Sequence, residues 1–296
     1  LLAVAATIIW SGNFIISKAV SKEIAPVALS FYRWSTASLL LLPFAWKQIQ
    51  PSWQIVKEHK AYFFWTAFTG ISLFNTFVYV AGQTSTAINM ALIGTTSSPI
   101  MSVVLAHYFL KEHITLRRIL GMLLCISGIL FLLSKGSFYN LLHLHFTKGD
   151  VWILMAAFSF ACYNIFARKR PATINPTGFL FCVFAIGTLL LLPAYIVESI
   201  YVDPIEWNFK IAGSVLYLGL GTSVIAFLFW NRSIKELGAG RTALFGNLIP
   251  IFSSMEAVAL LGERITIIHI ISFLLIVSGL LVDNLQLLFR KTRTAL

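Results

Sequence analysis

The chain has 296 residues, of which 58% are hydrophobic and only 11% charged, with a mean hydropathy of +0.84. So few charges cannot cover a water-facing surface, which excludes an ordinary soluble domain and indicates an integral membrane protein. In a soluble protein the net charge of +11 would suggest nucleic acid; in a membrane protein it reflects Lys and Arg gathered on the cytoplasmic side, so no nucleic-acid partner is expected.

Apolar runs long enough to cross a bilayer recur from end to end, and hydropathy predicts ten spans: 2–19, 27–46, 62–82, 89–110, 118–134, 151–168, 177–199, 211–232, 241–261 and 267–289. Leu1 already lies inside an apolar run, so a native start upstream of it is expected. Residues 1–19 lack a small-residue cleavage site and nine similar segments follow, unlike a signal peptide. Trp10, Asn13 and Ser17 recur at three- or four-residue spacing in the first span, and the second carries Arg33 in its outer part. Segment 47–61, with Trp53, reads as an interfacial connection. Ser72, Asn75, Tyr79 and Gln83 share one face of the third span, which also holds Gly70. Pro99 stands amid Thr95, Ser98 and Ser102 in the fourth. Segment 135–150 reads as a second interfacial connection, with Phe138, Tyr139 and Phe146. Ser159, Tyr163 and Asn164 follow in the sixth span, Gly219, Gly221 and Trp230 in the eighth, and Asn247, Pro250 and Glu256 in the ninth.

The two halves are one unit written twice. Pro99, Glu112, Ile114-Thr115 and Ser127-Gly128 each lie 151 positions before Pro250, Glu263, Ile265-Thr266 and Ser278-Gly279. Asn13 matches Asn164, Gly70 matches Gly221 and Tyr79 matches Trp230 at that offset; Pro26 matches Pro176 and Pro43 matches Pro193 at 150. This gives a first repeat over 1–134, a linker over 135–150 and a second repeat over 151–289. With the N-terminus inside, 15 of 22 basic residues fall on inner segments and six on outer ones, so both termini are expected to be cytoplasmic. Five spans per half is an odd number, so the second half must enter from the opposite side. The expected fold is therefore all-α, with two inverted five-helix repeats around a central cavity, as in secondary transporters.

Candidates for chemistry are few. Cys125, Cys162 and Cys182 are scattered through apolar segments and suit neither a disulfide framework nor a metal site. His143 and His145 have no nearby third ligand, so no metal is expected. Of eleven acids only Glu256 and Asp283 lie clearly within spans, too few for paired-carboxylate catalysis, and an enzyme is not expected. Glu256 is expected to snorkel outward and Arg33 to satisfy a helix end, leaving transport without a central titrating carboxylate. Polar faces in several spans should point at protein or water. Pro99 and Pro250, near the middle of equivalent spans, are read with Gly70 and Gly221 as hinge candidates.

At Pro99…Lys111-Glu112-His113-Ile114-Thr115…Ser127-Gly128 and Pro250…Gly262-Glu263-Arg264-Ile265-Thr266…Ser278-Gly279, the chain resembles the drug/metabolite transporter superfamily. Each half is similar to one EamA-type module, the first copy departing from the pattern with Lys111 for glycine and His113 for arginine. The layout, with Trp10-Ser11-Gly12-Asn13-Phe14 near the start, most resembles the bacterial aromatic amino acid exporter branch. The resemblance implies an inner-membrane exporter of amino acids and related metabolites, or alternatively a multidrug or other metabolite exporter. Its partners are then a small-molecule substrate and the lipid bilayer, without cofactor; a monomer is one admissible state. On that reading Trp10, Tyr79, Tyr163 and Trp230 contact an apolar side chain, and Asn13, Asn75, Asn164 and Asn247 the polar ends. Neutral amides suffice for a zwitterion, and the absence of central basic residues weighs against strongly anionic solutes.

Overall fold

The computed structural model describes residues 1–139, 147–237, 242 and 245–289, with side chains described to 282. Among them every regular element is helical: α1 (Leu2–Ala19), α2 (Pro26–Glu58), α3 (Lys60–Thr84), α4 (Ala87–Leu110), α5 (Leu116–Leu133), α6 (Lys148–Arg168), α7 (Pro176–Tyr201), α8 (Phe209–Leu237), α9 (Gly246–Leu261) and α10 (Ile267–Phe289). Seven of these, all but α2, α9 and α10, are long and apolar enough to cross a membrane by length and composition alone. Large apolar side chains such as Leu39, Phe44, Leu123, Leu189, Leu260 and Leu274 stand exposed around the bundle. In water such a surface would drive association; in lipid it is the natural coat.

Helix ends are closed by side chains. Glu198, near the end of α7, accepts hydrogen bonds from Val27 N (3.1 Å) and Ala28 N (2.7 Å) at the start of α2. Glu263 does the same for Ala87 N (2.8 Å) and Ile88 N (3.1 Å) of α4. A carboxylate there meets both the free N–H groups and the positive end of the helix dipole. Thr147 and Asp150 form a reciprocal cap that starts α6. Lys210 donates to Ala19 O (3.0 Å) and to Glu23, tying the α1–α2 turn to α8 and holding the Glu23 carboxyl below its usual range.

The duplicated turns agree in geometry. Lys111 (φ 56°, ψ 31°) and Gly262 (φ 66°, ψ 20°) both end their helices in the left-handed conformation. Glu112 N then donates to Ala106 O at 3.3 Å, and Glu263 N to Ala257 O at 3.2 Å. These are the same closing motif, made once with the residue suited to it and once with a lysine.

Equivalent helices pair with each other. α2 packs on α7 and α5 on α10, while α1 packs against α8 and α9 as α6 packs against α3 and α4. Ala28 meets Glu198, and Gly178, the counterpart of Ala28, meets Gln48, the counterpart of Glu198. Such reciprocity marks a two-fold relation. Ser38 Oγ and its own counterpart Thr188 Oγ1 touch at 3.5 Å on that axis. The start of α2 lies at the end of α7 and the converse, so the pair runs antiparallel. α5 and α10 do likewise. A methyl group at Gly128 would meet Ser272 O at 2.8 Å, and one at Gly279 would meet Gly121 O at 2.5 Å. Small residues allow that approach.

Two expectations need correction. Segment 47–58 is not a connection: α2 continues through it to Glu58, past Pro43 and Pro51, and buries Ser52 and Val56, with Ser52 against the start of α7. Pro250 is not mid-helix either. A 3-10 turn (Gly246–Leu248) precedes it and α-helix begins at Ile249, so Pro250 stands in the first turn, where its missing N–H leaves nothing unpaired. Pro99, by contrast, is inside α4 and exposed at its surface. His143, His145 and Phe146 of the linker, and the side chain of Asp283, lie outside the described residues.

Candidate functional site

A buried polar cluster lies where α1, α2, α3 and α8 meet. Its centre is Arg33, whose Nη1 donates to Asn13 Oδ1 (2.7 Å), Asn75 Oδ1 (2.7 Å) and Tyr79 Oη (2.8 Å), and whose Nε donates to Ser223 Oγ (3.1 Å). Tyr79 Oη donates in turn to Asn13 Oδ1 at 3.2 Å. Arg33 is 5% exposed, Asn13 7%, and Asn75 and Tyr79 1% each, so the cluster is closed to bulk water. Asn75 and Ser223 stand near the middle of α3 and α8, which puts the guanidinium well inside the hydrocarbon depth. Among the described residues no carboxylate pairs with it. All its partners are neutral oxygens.

Backbone irregularity surrounds the cluster. α3 and α8 each contain a π-helical stretch at equivalent places, Phe68–Leu73 and Tyr217–Ile225. Such widened turns release backbone carbonyls, which lipid cannot satisfy. Side chains from the neighbouring half do so: Ser159 Oγ of α6 donates to Thr69 O (2.8 Å), and Trp10 Nε1 of α1 donates to Thr222 O (2.9 Å). Gly70 lets the ring of Tyr163 pack directly on the π stretch; a methyl group there would lie 2.2 Å from Tyr163 Cδ2.

From Arg33 an aromatic run leads away. Its guanidinium carbon lies 4.8 Å above the Trp34 ring; Trp34 meets Phe184 at 4.7 Å, and Phe184 meets Phe227 at 6.3 Å. Trp10 joins Phe227 (5.5 Å) to Trp230 (5.0 Å). One end of the interior is thus cationic and rich in donors, and the other is aromatic.

A second ionisable group lies against α1. Ser11 Oγ is 2.6 Å from Ile8 O and 2.7 Å from Glu256 Oε1, while Glu256 Oε2 is buried without a partner among the described residues. Ser11 has one proton and Ile8 O can only accept. The Ser11 hydroxyl is therefore shared between the Ile8 carbonyl and the Glu256 carboxyl, which fixes Glu256 against α1.

A family model described as the EamA-like transporter family matches twice, over residues 1–134 and 147–284. The chain belongs to that family. It is a multi-pass membrane transporter rather than an enzyme. An uncharacterized transporter of Archaeoglobus fulgidus is 26% identical over 94% of each chain. The "Probable amino-acid metabolite efflux pump" of Salmonella typhimurium is 24% identical over 99% of this chain and 96% of its own. The "Probable terminal-alkyne amino-acid exporter" of Streptantibioticus cattleyicolor is 28% identical over 66% of this chain and 63% of its own. A crystal structure 18% identical in sequence shares the fold, with a TM-score of 0.64 over 99% of this chain and 98% of that one.

Within this EamA-type frame the residues singled out from sequence divide into groups. Asn13, Asn75 and Tyr79 meet around Arg33, and Trp10 and Trp230 belong to the aromatic run. Tyr163 stacks instead on Phe160 (5.5 Å) against Gly70, and Asn164 Nδ2 donates to Ser102 Oγ at 3.2 Å. Asn247, half-buried in the 3-10 turn, joins none of these contacts. Gly221 faces Ile9 at ordinary contact distance. The halves also differ in bonding: Ser102 accepts from Asn164, whereas its counterpart Ser253 is buried without a hydrogen-bond partner among the described residues, and Asn13, the counterpart of Asn164, accepts from Arg33.

Two sequence expectations are overturned. Arg33 does not satisfy a helix end; it is the hub of four helices, so the interior does hold a basic residue. Glu256 does not snorkel outward, because its carboxyl is held at the depth of Ser11 inside α1. Arg33, Ser223, Trp34, Phe184 and Phe227 were missed as site residues. The signal for Arg33 was present: it is the one charge between Pro26 and Trp46.

Proposed function

We propose that this protein is a secondary transporter of the bacterial inner membrane that exports amino acids, aromatic ones among them, and related metabolites by alternating access. In this reading the halves are inverted across the bilayer, both termini are cytoplasmic, and the solute binds between the Arg33 cluster and the aromatic run. The observation that carries it is that juxtaposition: a polar, donor-rich centre at mid-depth beside a wall of Trp and Phe, which suits a small solute polar at one end and apolar at the other. The antiparallel pairing of α2 with α7 and α5 with α10 supports inversion, since a two-fold relating antiparallel helices lies across them. Relatives named "Probable amino-acid metabolite efflux pump" support the solute class. Pro99 and Gly221 remain the hinge candidates that the packing leaves room to move.

Counterflow in liposomes containing only this protein tests the reading. Labelled phenylalanine, tryptophan and threonine should accumulate transiently against an internal pool of the same amino acid, and saturably. Flux no greater than in protein-free liposomes, with flux of planar drugs instead, would replace it by the multidrug alternative.

A further inference from the structure

We infer that Arg33 is the anchor for a carboxylate, so that the solute must be an acid and its α-carboxylate, rather than its ammonium, fixes its place in the interior. This rests on the export reading above and narrows its substrate class.

The argument is one of donors and charge. A guanidinium carries five N–H donors and no acceptor. Nε serves Ser223, and the two hydrogens of Nη1 are shared among Asn13, Asn75 and Tyr79. Nη2 has no hydrogen-bond partner among the described residues. Because Arg33 can only donate, Asn13 and Asn75 must turn Oδ1 toward it, which leaves both Nδ2 groups as further donors without partners among the described residues. The cluster therefore has a net positive charge and spare donors. Burying a guanidinium in hydrocarbon without a counter-ion is costly, and an anionic ligand would relieve that cost. A planar carboxylate suits a guanidinium edge.

The two-fold relation isolates the feature. The counterparts of Asn13, Arg33, Asn75 and Tyr79 are Asn164, Val183, Ala226 and Trp230. One half supplies the cation and donors, and the other supplies apolar surface. Structural symmetry alone does not call for a charge at position 33, since Val183 fills the same place in the other half, 0% exposed. Trp34, beneath the guanidinium, begins the aromatic run, so an acid held at Arg33 would have its side chain directed along Phe184, Phe227 and Trp230.

The test is a ligand series on purified protein, read by tryptophan fluorescence and by shift of the unfolding midpoint: L-phenylalanine, 3-phenylpropionate, L-phenylalaninamide and phenethylamine. The anchor requires the two carboxylates to bind at least tenfold tighter than the amide and the amine. Amide and acid binding equally would overturn the anchor while leaving amino-acid export standing. Binding of 3-phenylpropionate without phenylalanine would keep the anchor and remove the amino-acid reading; binding of neither acid would remove both. Arg33→Lys should retain a weakened preference for acids, and Arg33→Gln should lose it. A folded Arg33→Gln protein that still prefers the acid would refute the proposal, and the wild-type series decides the matter should that variant not fold.

Discussion

Replacing Gly70 and Gly221 by alanine, one at a time, separates packing from pseudo-symmetry, because the two glycines are counterparts in equivalent π stretches with unlike surroundings. At Gly70 the new methyl would lie 2.2 Å from Tyr163 Cδ2, 2.6 Å from Cγ and 2.8 Å from Cε2. Carbon atoms rest at about 3.5–4.0 Å, so more than 1 Å must be found. Cγ is only two bonds from the α6 backbone, and the ring is stacked on Phe160 at 5.5 Å, so the side chain cannot simply swing aside. Overpacking of this kind costs about 1–3 kcal/mol. At Gly221 the nearest atoms are Ile9 Cγ2 at 3.5 Å and Tyr217 Cδ2 at 3.6 Å, ordinary contacts. Only the helix-propensity gain of alanine remains there, up to about 1 kcal/mol in its favour. Alanine gains that propensity at both positions, so Gly70→Ala is expected to be less stable than Gly221→Ala by the overpacking cost alone, about 1–3 kcal/mol. Unfolding midpoints in detergent micelles measure the difference, and Tyr163→Ala should restore part of it in the Gly70→Ala background alone. Equal midpoints for the two variants, or no restoration, would refute the packing argument. Flux through Gly221→Ala, which should fold normally, reads the hinge separately.

Lys111→Gly should raise the unfolding midpoint by the equivalent of about 1 kcal/mol, because it relieves a left-handed lysine; an unchanged or lower midpoint would contradict the shared turn geometry. Glu263→Ala should destabilise by about 1–2 kcal/mol, and hydrogen exchange should quicken at Ala87 and Ile88, the two amides it caps. Protection unchanged at those amides would remove Glu263 as the cap of α4. Glu256→Gln removes the titratable group but keeps a side-chain oxygen that can accept from Ser11 Oγ, so the fold and gradient-free counterflow should persist. Any acceleration of outward flux that an inward proton gradient gives the wild type should be lost in Glu256→Gln; concentrative flux surviving the change would take Glu256 out of any coupling step.

Hydropathy and the 151-residue offset were enough to place the ten helices, because both depend on composition and on local turns. The duplicated Glu–Thr turns were legible in the 151-residue offset, but Lys111 in place of glycine hid the left-handed position that it shares with Gly262. Spacing also put Asn75 and Tyr79 on one face of α3, and they do share a cluster. What spacing could not supply was the neighbour. A lone Arg33 in an apolar run reads alike whether it faces a helix end or four converging helices, and Glu256 reads alike whether it reaches the headgroups or Ser11. The π stretches left no mark in the sequence, since a π turn differs from an α turn in hydrogen-bond register rather than residue preference. The extension of α2 past Pro51 was hidden by that proline and by Gln48, Gln50 and Gln54, polar residues that a helix leaving the membrane also accepts.

The central claim is that the equivalent halves face opposite sides of the membrane, so that one enclosed site can be opened from either side. Single cysteines at His113 and Arg264, counterparts in the two exposed turns, test this in a background freed of Cys125, Cys162 and Cys182. A membrane-impermeant maleimide applied to intact cells should label Arg264→Cys and spare His113→Cys, which should label only once the membrane is permeabilised. Labelling of both turns from the same side would contradict the account.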